Sequence, residues 1–129
     1  MAALENRHQR YLHFLADGLL ETGEATIAQI FERLGQWMQN DAPNGCMSVS
    51  AIAAYPDNPA ITQTVTTHKN QVQAFLGAMS HPEPEQQQHF VGPLFLLHEG
   101  VSSAWPVVGN SVIATALLTI QCLFQEHTS

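Results

Sequence analysis

The chain has 129 residues, of which 45% are hydrophobic and only 12% charged, and its net charge is −7. That length fits one domain, spanning 1–129, that buries about two thirds of its unfolded surface and needs neither metal nor disulfide to fold. The four basic residues, Arg7, Arg10, Arg33 and Lys69, form no cluster, which argues against phosphate neutralisation on nucleic acid and against a polybasic membrane patch.

The charged fraction is about half the usual value, which implies more buried surface than one small monomer requires. An oligomer, an apolar pocket, or both would account for it. Cys46 and Cys122 lie far apart and outside any CxxC. With no basic-then-apolar leader at the N-terminus, they read as reduced thiols of a cytoplasmic protein. No run approaches about 18 apolar residues, so no membrane span is expected.

In chain order, residues 2 to 20 set Leu4, Tyr11, Leu12, Leu15 and Leu19 on one side at helical spacing, widened by Phe14 and Leu20. Thr22-Gly23 closes this helix. Ala25 to Gln39 is the clearest amphipathic segment, with Ile27, Ile30, Phe31, Leu34, Trp37 and Met38 on one stripe. Residues 44 to 61 read NGCMSVSAIAAYPDNPAI. A short helix from Asn44 or Gly45 carries Cys46, Val49, Ile52 and Ala53 among small residues that let neighbouring helices approach. Tyr55 precedes Pro56 and is biased out of helical geometry. Asn58 suits an N-cap, and Pro59 suits the first helical position.

From Pro59 the seam is Ile61, Val65, His68, Val72, Phe75, Leu76 and Met79. Ser80 to Pro84 breaks it, and Glu83 and Glu85 favour another helix start. Residues 85 to 105 place Phe90, Leu94, Leu97, His98, Val101 and Trp105 on one face, with Val91, Phe95 and Leu96 on others. Gly92-Pro93 predicts a kink, or a helix that begins there. A turn over 106–110 leads to a last helix over 110–125 carrying Val112, Ile113, Ala116, Leu117, Ile120, Leu123 and Phe124. VSAIAAY and VVGNSVIA lack sustained alternation, so no strand is predicted.

The expected fold is all-α, an antiparallel bundle of about six helices. The last two helices are apolar on more than one face and so call for cover on both sides. That predicts an isologous homodimer in which these helices pair as a four-helix bundle. Its seam would hold Leu97, Val101, Trp105, Ile113, Ala116, Leu117, Ile120 and Phe124.

The order of elements resembles a known family. FERLGQW is similar to the segment before the middle corner of TetR-type transcriptional regulators. NGCMSVSAIAAYPDNPAITQTV resembles that family's Gly-Cys helix, its aromatic-Pro-Asp break and the Pro that opens the next helix. HKNQVQAFL is similar to the continuation of that helix, and LHEGVSSAWPVVGNSVIATALLTI to the final dimer-forming hairpin. The similarity runs from about residue 3 to the end. It implies an effector-binding and dimerisation domain, in which the slim helix forms one wall of a ligand-holding helical triangle. The family's helix-turn-helix head is missing from this stretch, so the chain as given is not expected to bind operator DNA. DNA would be a partner only through such a head.

Any effector would sit among the inward faces of the first five helices, at Phe14, Phe31, Leu34, Met38, Val49, His68, Val72, Phe75, Phe95 and His98. Each of the apolar members is equally readable as plain core. His68 and His98 lie in apolar seams and need a hydrogen-bond partner, either a ligand or a backbone carbonyl. The low charge of these seams suggests an apolar or weakly polar effector, and no acidic residue in them marks a cation site.

Metal and catalysis find little support in the chain. His8 and His13 are five apart rather than four, and no HExxH or Cys-His cluster exists. Glu99 follows His98 directly, so on a helix the two should point apart. Ser102-Ser103 lacks a Gly-x-Ser-x-Gly elbow. No catalytic residue, metal ligand or cofactor is expected. The competing readings are a structural dimerisation module with a filled pocket, pairing with itself or with full-length relatives, and a helical-bundle enzyme or metal carrier.

Overall fold

The computed structural model describes residues 2–45 and 47–128, without the side chains of residues 47–49 and 128. Six helices account for most of it: α1 Ala2–Ala16, α2 Glu24–Asp41, α3 Met47–Ala54, α4 Pro59–Ser80, α5 Pro84–Val108 and α6 Ser111–Thr128. No strand occurs among the described residues.

Local chemistry sets the helix ends. α1 stops at Ala16, short of the expected residue 20, because Gly18 turns the chain at φ 73°. Arg33 of α2 then donates to the Leu15 and Asp17 carbonyls at 3.1 and 2.6 Å, satisfying acceptors that the end of α1 leaves open. α4 starts as expected: Asn58 accepts from the Ala60 and Ile61 amides at 3.0 and 3.2 Å, and Pro59 follows it.

α5 continues through both prolines: it neither begins at Gly92-Pro93 nor stops before Pro106, and its C-cap is Gly109. Gly92 and Pro93 are exposed, so the bond that Pro93 removes falls where water can take the missing donor's place.

α2 is the hub, packing against α1, α4, α5 and α6. Ile27, Ile30, Phe31, Leu34 and Met38 of its stripe are fully buried. Two glycines set the closest approaches. A Cβ at Gly35 would lie 2.8 Å from Ile113 Cγ1 on α6, and one at Gly77 would lie 2.6 Å from Val91 Cγ2 on α5. Gly77 thus lets α4 rest directly on α5, its most extensive partner.

The residues expected at a dimer seam are mostly used inside the chain. Val101, Trp105, Ile113, Ala116, Ile120 and Phe124 are buried in its own core, and Leu97 and Leu117 pack half-buried against that core. Phe124 stacks on Phe90 with ring centroids 4.3 Å apart. The physical reason is that α2 and α5 pack against α6 within the chain and cover the stripe that helical spacing alone left open. The large apolar residues that α5 and α6 leave exposed, among the described residues, are Leu96, Val107, Val108 and Leu118.

The contact at Gly77 yields a test. Gly77→Ala gains about 1 kcal/mol of helix propensity but overpacks a stiff valine, at a cost of about 1–3 kcal/mol. Urea unfolding should show a net loss of about 1 kcal/mol, relieved when Val91→Ala is added. A variant more stable than the parent would mean that α4 and α5 do not meet this closely.

Candidate functional site

A cavity of about 60 Å³ lies between α1, α2, α4 and α5. α1 contributes Leu4, Arg7, His8 and Tyr11, which recur at three and four residues and so share one face. α2 and its C-cap contribute Trp37, Met38 and Ala42. α4 contributes Lys69 and Val72, and α5 contributes His98 and Ser102. α3 supplies no described lining residue.

A polar chain runs along one side. The His98 Nδ1 lies 2.7 Å from Glu99 Oε2, and Lys69 Nζ lies 2.9 Å from Glu99 Oε1. A carboxylate can only accept, so the network assigns the proton to Nδ1. His98 Nε2 is then left to accept from the Tyr11 hydroxyl. The Ser102 hydroxyl donates to the His98 carbonyl at 3.0 Å. Four side chains from α1, α4 and α5 thus form one continuous relay, Tyr11–His98–Glu99–Lys69.

The electrostatics follow from burial and pairing. Burial lowers the His98 pKa, outweighing the Glu99 hydrogen bond that raises it, so the imidazole is neutral. Burial raises the Glu99 carboxyl, but the bonds to His98 and Lys69 overcome this and hold it below the usual carboxylate range. The expectation that His98 and Glu99 point apart is therefore overturned. Lys69 reaches across from α4 and draws the flexible Glu99 side chain back over the neighbouring imidazole.

A second pair sits beside the first. The rings of His8 and His68 stack 3.9 Å apart and 5° from parallel. His8 Nε2 donates to Gln71 Oε1 at 2.8 Å. Burial, then the neighbouring His68, lowers the His8 pKa to about 4, and burial also lowers that of His68. His68 Nδ1 is buried without a hydrogen-bond partner. Its ring borders a wider, open groove with Glu5, Gln63, Thr64 and Thr67 rather than the cavity.

Arg7 closes the opposite side. Its guanidinium lies 5.6 Å from the Trp37 ring centroid and donates to the Asp41 carbonyl.

Of the ten residues predicted for a ligand, Met38, Val72 and His98 line the cavity. His68 stands beside it on the His8 ring. Phe31 and Leu34 are fully buried core. Phe14, Phe75 and Phe95 pack half-buried around that core, with Phe14 near Trp37 and Phe95 parallel to His98. The Val49 side chain lies outside the described residues. Arg7, His8, Tyr11 and Lys69 were not foreseen as site residues. The signal for His8 was its register, four after Leu4 and three before Tyr11.

No group of three or more metal-binding side chains occurs among the described residues. No family model, curated protein or solved structure matches this chain.

The histidine pair and the relay make stability depend on pH. The folded His8 pKa of about 4 lies below the ordinary 6.5. Between these values the unfolded chain binds more protons, so stability is full above about pH 6.5 and falls as pH drops towards 4. Glu99, also lowered, adds a loss only below the ordinary carboxylate range. Denaturant midpoints measured from pH 8 to pH 4 should show this slope, and His8→Leu should flatten it. Removing the relay's donor by Tyr11→Phe leaves a buried acceptor unmet and should cost about 1–3 kcal/mol at pH 7.

Proposed function

We propose that this chain is the effector-sensing and dimerising domain of a TetR-like transcriptional regulator. The observation that carries the proposal is the cavity itself: it joins four helices, has apolar walls of Leu4, Trp37, Met38 and Val72, and gathers a few convergent polar groups at its rim. That composition is typical of small-molecule sites. Binding would favour one arrangement of α1 and α4 against α5, and a change there would alter the spacing of attached DNA-reading heads. Six helices, with an Asn-Pro corner before the long fourth one, are the features of the fold that support the reading.

Charge distribution supports the dimer. Between Gln86 and Gln125 the only charged residue is Glu99, and Glu99 is turned towards Lys69. The exposed residues of α5 include Gly92, Leu96, Gly100, Ser103 and Val107, at steps of three and four, and those of α6 include Ala114, Leu118 and Cys122. An uncharged strip of small and apolar residues on adjacent helices suits a second copy of itself. We assign the dimer seam to this outer strip in place of the buried residues first expected there.

A structural module is the second proposal, and the small volume of the cavity, about 60 Å³, favours it. Ligand pockets for larger effectors occupy about 300–1,000 Å³.

Native mass spectrometry of the purified chain separates the two. A dimer carrying a co-purified small mass supports sensing. A bare dimer that no small molecule stabilises supports the module, and a monomer removes the dimer from both. Light scattering tests the seam itself. Leu96→Glu together with Leu118→Glu, at positions 72% and 61% exposed, should yield a folded monomer. A dimer that survives both changes would place the seam elsewhere.

A further inference from the structure

We infer that the cavity takes a small organic carboxylate, with its anionic head on Arg7 and a short hydrocarbon stem against Trp37, Met38 and Val72. This rests on the proposal that the cavity binds an effector, and adds the effector's chemical class. It also departs from the apolar or weakly polar molecule that the sequence suggested.

The first ground is charge. The chain has four basic residues and a net charge of −7, yet two of the four, Arg7 and Lys69, line this one cavity. No carboxylate lines it. Glu99, the nearby acid, is engaged by His98 and Lys69. Arg7 enters no ion pair among the described residues: its partners there are the Trp37 ring and the Asp41 carbonyl, both neutral. A guanidinium carries five N–H donors. The backbone bond and the ring fix its plane and leave donors for a planar, two-oxygen acceptor, the geometry that arginine meets best.

The second ground is exclusion. A cationic ligand would be repelled by Arg7, whose charge no carboxylate offsets, while Lys69 is already paired with Glu99. A wholly apolar one would press hydrocarbon against a charge with no counterion, which is costly. An inorganic anion would leave Leu4, Trp37, Met38 and Val72 without a partner.

The third ground is size. A cavity of about 60 Å³ is well below the roughly 150 Å³ that accommodates benzene. At that scale the enclosed space takes the three-atom carboxylate head, a short stem lies towards the open side, and a multi-ring effector is excluded.

The test uses the two tryptophans. Trp37 lines the cavity and Trp105 does not, so their indole N–H resonances give a reporter and an internal control. The full chain is titrated at constant ionic strength with propionate, with its neutral isostere propionamide, and with inorganic phosphate. Propionate should shift the Trp37 resonance saturably and leave Trp105 unmoved. Propionamide should bind about tenfold more weakly, because a charge-assisted bond is lost. Arg7→Gln should weaken propionate about tenfold and close most of the gap between propionate and propionamide. The comparison within the parent chain stands whether or not that variant folds. Propionamide binding as tightly as propionate overturns the carboxylate and leaves the effector proposal standing. Phosphate binding more tightly than propionate also overturns the organic class. If none of the three moves Trp37, this inference falls, and the effector proposal is decided separately by the co-purified mass.

Discussion

The structure depends on the burial of one stripe of α2, whose opposite face, from Ala25 through Gln29, Glu32 and Gln36, stays exposed. α2 touches α1, α4, α5 and α6, and its stripe is fully buried from Ile27 to Met38. Burying a side chain of this size contributes about 1.5–3 kcal/mol, so α2 is the largest single source of cohesion. Its shape also dictates geometry. Gly35 admits Ile113 and brings α6 onto one flank of α2. Trp37 and Met38 lie near the C-terminal end, where α1, α4 and α5 also converge. The large indole meets Tyr11 and Phe14 at its edges. The cavity is the remainder of that convergence, the space left where four helices with unequal side chains cannot all touch.

Polar chemistry stabilises the same junction in a different manner. An unmet nitrogen on a buried imidazole is costly, and His98, unlike His68, has both of its nitrogens partnered. The proton on Nδ1 is fixed by Glu99, so Nε2 accepts from Tyr11. Lys69 then holds Glu99 in place. Each member is oriented by the next, and α1, α4 and α5 are thereby set in register. An apolar core of the same volume would hold these helices together with less orientational preference. The stacked His8 and His68 rings add to the α1–α4 contact only while both are neutral, which burial ensures.

The fold was legible where local physics decides it. The stripe of α2, the Asn58 cap with Pro59, and the number of helices all follow from spacing and capping alone. Misreadings arose where two or more elements had to be known together. Pro93 looks like a possible helix start in isolation, yet its lost bond lies on an exposed stretch of a helix that continues through it. The stripe of α6 seemed free for a second copy because helical spacing cannot say that α2 already lies against it. In the site, Phe31 and Leu34 were indistinguishable from Met38 by pattern, since all three lie on one stripe and only depth separates core from cavity wall. His98 was found because a histidine in an apolar seam stands out. Glu99 was dismissed because adjacent helical residues diverge at the Cβ, and the pull of Lys69, thirty residues earlier, is invisible to that rule.

α5 joins the two halves of the proposed function. His98 and Ser102 line the cavity from one side of this helix, while Leu96, Gly100 and Ser103 are exposed on the other. Residues two apart on a helix diverge by about 200°, so His98 and Leu96 look in nearly opposite directions. A helix moves as a rigid rod over such distances. Any ligand that shifts the relay at His98 therefore also shifts the strip at Leu96, with no intermediate elements needed. The coupling requires that α5 have two packed positions, in one of which the Val91 side chain is seated at Gly77 of α4. In the sensing proposal, differential affinity for those two positions is the quantity that an effector must supply.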